Sequence, residues 1–129
     1  MFQQSCVPTS TNLERIKKLF TYALISTAEN PICDDDDNPD FCSQRDSTAF
    51  IKLSYFGTDP GFSAKPPFAK GGWKLHIAIE DRTEGNVDKA WNMIKDILIE
   101  QRISTSKVIK PKVSFANDTT QCGKQITIY

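Results

Sequence analysis

The spacing of apolar residues changes period along this chain, and that change limits the fold more than any other feature. Over residues 12–27 they recur at helical spacing, with Leu13, Ile16, Phe20, Ala23 and Leu24 on one face. From Thr48 the period becomes two. Ala49, Ile51, Leu53 and Tyr55 point one way, while Phe50, Lys52 and Ser54 point the other. Residues 73–80 alternate more cleanly, Trp73, Leu75, Ile77 and Ile79 against Lys74, His76, Ala78 and Glu80. The helical period then returns over 87–101, where Val87, Ala90, Trp91, Ile94, Ile97 and Leu98 form a stripe. Two further strands are predicted at 107–115 and 124–129, joined through a turn at Asn117-Asp118.

The punctuation agrees with this reading. Thr11 and Glu14 match a capping box, Asn30-Pro31 closes the first helix, and Asn86 is placed to cap the second. The order α-β-β-α-β-β predicts an α+β fold: a four-stranded, mainly antiparallel sheet with two helices on one face. A length of 129 residues suits a single domain over 1–129. The chain stops at Tyr129 inside the strand-like run GKQITIY, so a piece of a larger protein is expected.

Sixteen Lys and Arg balance sixteen Asp and Glu, and a net charge of zero argues against a dedicated nucleic-acid binder. No apolar run reaches the roughly 18 to 20 residues that span a bilayer, and residues 1–10 show no Sec-type signal pattern. No membrane partner is expected. Cys6, Cys33, Cys42 and Cys122 form no CxxC pair, and four free thiols are expected, with a Cys33–Cys42 bridge as the alternative. Residues 34–40 place Asp34, Asp36 and Asn38 like calcium ligands. Pro39 stands where the turn needs Gly and Arg45 where a bidentate Glu belongs, so a solvated acidic loop is expected. The only histidine, His76, is remote from the cysteines, and no metal or cofactor is expected. Gly71-Gly72 precedes a strand, which rules out both Walker and Rossmann phosphate loops.

Candidate chemistry lies on the polar face of the sheet. With the helices covering one face, the other collects Lys52, Lys74, His76, Lys110 and Lys112, together with Gln125, Thr127 and Tyr129. Lysines crowded on neighbouring strands repel one another, and a bound phosphate relieves that repulsion. Tyr55 and Tyr129 at strand ends, with Phe62 and Phe68 in the long Gly- and Pro-rich loop 56–72, offer flat rings beside the charge. A solvated lysine face is the plain alternative.

The runs AFIKLSY, GGWKLHIAIED and GKQITIY resemble the core of the phosphothreonine lyases over 49–129. These bacterial effectors remove phosphate from host kinases by β-elimination. The resemblance implies Lys74 as general base, within Lys74-Leu75-His76-Ile77, and puts Lys52 where the family carries its acid histidine. A lysine, with a reference pKa of about 10.4, is a poor proton donor at neutral pH. The same runs are similar to the KLAMP-type nucleotide-binding domains of Legionella effectors, in which tyrosines stack on adenine. Either resemblance implies a secreted virulence effector acting in the host cytoplasm.

The leading expectation is therefore a non-catalytic domain that binds a nucleotide or another phosphorylated small molecule through Lys52, Tyr55, Lys74, His76, Lys110, Lys112 and Tyr129. A lyase using Lys74, and a protein-interaction module with a host protein as partner, stand as alternatives.

Overall fold

The structure, a computed structural model, describes residues 6–57 and 73–129, with side chains from residue 12 onward. Phe62, Phe68, Gly71-Gly72, most of the long loop and the Cys6 thiol lie outside the described residues. Among the described residues the fold is α+β with three helices and an antiparallel sheet. That sheet has six strands where four were expected.

Helix α1, Cys6–Leu19, begins before the expected capping box, so Thr11 lies inside it. Pro8 falls in the first turn, where its missing N–H leaves no helical bond unmade. The helix stops short of Thr27. Thr21 is extended (φ −62°, ψ 151°), and a single turn, α2 at Tyr22–Ile25, follows it. Residues 91 and 92 hold this break together. The Trp91 indole donates to the Phe20 carbonyl at 3.1 Å, and the Asn92 side chain accepts from the Tyr22 N–H at 2.9 Å. The break turns Tyr22 and Ile25 into the core and leaves Leu24 outside, which corrects the stripe read from periodicity.

The two strands missed by periodicity form a hairpin, β1 at Ile32–Cys33 and β2 at Phe41–Arg45. The acidic stretch is its loop, built from side chain to main chain. Asp34 Oδ1 accepts from the N–H groups of Asp40 and Phe41, and Asp35 Oδ1 from those of Asp37 and Asn38. Cys33 and Cys42 sit directly opposite each other with Cα atoms 4.2 Å apart, and they are disulfide-bonded. The expectation of four free thiols is thus corrected in favour of the bridge, because facing strand positions bring the two sulfurs together.

Strand β3, Phe50–Tyr55, pairs with β2. Strand β4 is only Leu75–Ile77. Helix α3, Asn86–Glu100, follows, with Gly85 at its N-cap in a left-handed conformation (φ 90°). It buries Val87, Trp91, Leu98 and Ile99, and Lys95 takes the place on that face that Ile97 was expected to hold. Strand β5, Thr105–Ile109, ends where Pro111 cannot donate to a ladder, and β6 is Ile126–Ile128. The spatial order is β1-β2-β3-β5-β6-β4, antiparallel throughout.

That order sorts the two faces. Ile51, Val108, Ile126 and Ile77 are successive cross-strand partners, and the first three are buried in the core with Phe20, Ile25, Trp91 and Ile99. At about 25 cal/mol per Å², each such aliphatic side chain contributes roughly 1.5 to 3 kcal/mol. Trp73, expected on this face, is 97% exposed and Leu75 is 64% exposed. They sit at the outer end of the edge strand, where helix packing does not reach.

Candidate functional site

One row of side chains crosses the opposite face. Gln44, Lys52, Lys107, Thr127 and His76 are consecutive cross-strand partners on β2, β3, β5, β6 and β4, so all five project the same way. Lys52 and Lys107 face each other directly. Tyr129, just past β6, donates its N–H to the Thr105 carbonyl at 3.1 Å, which continues the β6 alternation and keeps its side chain on this face.

The charge converges on Tyr129 and His76. The Lys74 ammonium lies 5.2 Å and the Lys107 ammonium 5.7 Å from the centre of the Tyr129 ring, on its two sides along the sheet. Lys107 also lies over Phe50 at 3.9 Å, an arrangement worth about 0.5 to 1 kcal/mol where exposed. His76 Nδ1 and the buried Thr127 hydroxyl are hydrogen-bonded at 3.1 Å. The imidazole pKa is held below its ordinary value, first by partial desolvation and then by the positive charges of Lys124, Lys74 and Lys107. Among the described residues, none of Lys74, Lys107 and Lys124 forms an ion pair with a carboxylate.

The floor beneath this face is fixed. The Asp81 carboxylate accepts from the Phe115 N–H at 2.7 Å, the Ser114 hydroxyl at 2.6 Å and the Gln125 amide at 3.0 Å. Gln125 in turn accepts from the Ile79 N–H at 3.1 Å. These bonds tie the chain on either side of β4 and β6 into one frame, so His76 and Thr127 keep their register.

The expected site residues divide into two groups. Lys52, Lys74, His76 and Tyr129 share the face, and Thr127 and Gln125 join them. Tyr55 does not. It lies two residues from Leu53 on the helix-covered face and stacks at 4.7 Å on Phe41. Lys110 and Lys112 are also elsewhere, since β5 ends before them. Lys110 Nζ donates to the carbonyls of Asp46 and Thr48 at 2.8 and 2.6 Å. Both lysines line a cleft of about 640 Å³ with Arg82, Gly85 and Asp88 beside the start of α3. The residues that sequence reasoning missed are Lys107 and Lys124. Pro111 was the available signal, because ending the strand before it sets the alternation by Val108 and puts Lys107 on the polar side.

Among the described residues no group of three or more His, Cys, Asp or Glu is arranged to hold a metal ion. None of the described helices is long and apolar enough to cross a membrane. No protein-family model, curated protein or solved structure matches the chain.

Proposed function

We propose that the basic sheet face binds a phosphorylated small molecule, with nucleotides as the leading class. The observation that carries this reading is the pair of ammonium groups, Lys74 and Lys107, brought to one aromatic ring, with Lys124 and His76 beside them and no paired carboxylate among the described residues. Assembling like charges is unfavourable unless an anion offsets it, and phosphate accepts several charge-assisted hydrogen bonds at once. Tyr129 supplies the flat surface that a base requires.

The strand order favours binding over elimination. A lyase built on the resemblance needs Lys74 as base and the residue at position 52 as acid on one substrate. β5 and β6 lie between them, and three strand spacings are roughly 14 Å. Calorimetry with adenosine nucleotides and inorganic pyrophosphate tests the proposal. Lys74→Ala removes an exposed side chain and should leave stability within about 0.5 kcal/mol. It should weaken the ligand by about 1.5 to 3 kcal/mol, roughly 10- to 150-fold. Equal affinity in the variant and the parent, or no binding by the parent, would overturn the proposal. Inorganic phosphate released from a phosphothreonine peptide, with a dehydrobutyrine residue left in the peptide, would point to the lyase instead.

A further inference from the structure

Strand β4 has a second side. On β6, the residues next to β5 use their main chain toward it, as the Ile109 N–H to Gln125 carbonyl bond (2.9 Å) and the Tyr129 bond to Thr105 demonstrate. Ile126 and Ile128 are therefore the β6 residues that turn to β4, where they pair with Ile77 and Leu75. By the same alternation the N–H and C=O of His76 point outward. Nothing among the described residues is hydrogen-bonded to that edge.

We propose that the outer edge of β4 takes an extended, acidic segment of another protein by strand addition. Main-chain pairing gives such complexes their affinity, and the side chains directly opposite give them their selectivity. A strand laid beside β4 places one residue opposite His76 and another opposite Lys74, both on the basic face, where Asp or Glu fits. Its alternate residues fall opposite Leu75 and Ile77, where apolar side chains bury the surface that Leu75 now exposes and draw Trp73 in beside them. The preferred sequence alternates acidic and apolar residues. A second copy of this chain is the poorer occupant, since pairing two β4 edges sets Lys74 and His76 against the same cations. The inference uses the charge of the ligand face but adds the main chain of the edge, which a small molecule does not need.

The probe is a short capped peptide alternating Val and Glu, read by the emission of exposed Trp73 against that of buried Trp91. Binding should shift Trp73 emission to the blue, and Trp73→Phe should abolish the shift. The same peptide methylated on its Glu nitrogens keeps its charge but cannot pair, and it should bind at least about tenfold more weakly. A Val and Gln peptide should lose a comparable amount. His76→Pro removes only the outward N–H from the ladder, so it should bind at least about tenfold less well than His76→Ala. If His76→Pro does not fold, the methylated peptide decides alone. Unchanged binding by the methylated or the Gln peptide overturns the proposal. So does a concentration-dependent dimer that His76→Pro dissolves. Parallel titration with pyrophosphate separates the two readings: peptide failure with pyrophosphate bound rejects strand addition alone, and the converse rejects the small-molecule reading alone.

Discussion

His76 is the one side chain on the basic face whose charge changes near neutral pH. Partial desolvation and three nearby ammonium groups hold its pKa below 6.5, so the folded chain resists a proton that the unfolded chain accepts at about that value. The unfolded state therefore binds more protons as pH falls below 6.5, and stability should fall with it until pH drops below the folded pKa. Anion affinity should run the other way. A bound phosphate favours the imidazolium, so lowering pH from 7.5 to 6 should tighten binding, by no more than about tenfold per pH unit for one proton. Calorimetry and urea unfolding across this range should give opposite slopes in the parent. Both should flatten in His76→Gln, which also subtracts the titration of the ligand itself. Slopes unchanged by the substitution would assign the effect to another group.

Among the elements, the β1–β2 hairpin shows what periodicity does not carry. A two-residue strand has no period to read, and the aspartates around it resemble a solvated tract while acting as turn builders through their side-chain oxygens. The disulfide follows from that hairpin and not from cysteine spacing. Closing so short a loop should contribute about 2 to 3 kcal/mol in the chain-entropy account. Cys42→Ser should lose that amount or less, because β1 is an edge strand and can fray without the core. Hydrogen exchange should find the loss confined to 32–45, and alkylation before and after reduction should report the Cys33–Cys42 peptide only once reduced. The break between α1 and α2 was illegible for a related reason. Leu13, Ile16 and Phe20 read correctly as an inward face, but the break at Thr21 is held by Asn92, which accepts from the Tyr22 N–H seventy residues away. Helix α3, whose remote hydrogen bonds are made by side chains and leave its own backbone helical, was legible to within a residue at each end.

For the whole molecule, class and helix placement were readable and strand order was not. Alternation says which side of a strand is wet, and it put Lys52, Lys74, His76 and Tyr129 on one side correctly. It does not say which strands are neighbours, and so the intervening β5 and β6 could not be foreseen. β6 carries a disproportionate share of this arrangement, because it pairs with β5 on one side and is the only described partner of β4 on the other. Truncation after Gly123 should therefore release β4 entirely and bare the edge of β5. Expected results are lost protection at 75–77, retained protection in β2 and β3, and concentration-dependent association; a monomer with β4 still protected would contradict the pairing. The same dependence sets a clock on synthesis. His76 and its partner Thr127 are 51 residues apart in sequence. At about 5 to 20 residues per second, β4 is synthesised roughly 3 to 10 seconds before its mate has been made. Through that interval His76 and Ile77 have no β6 residue to pair with.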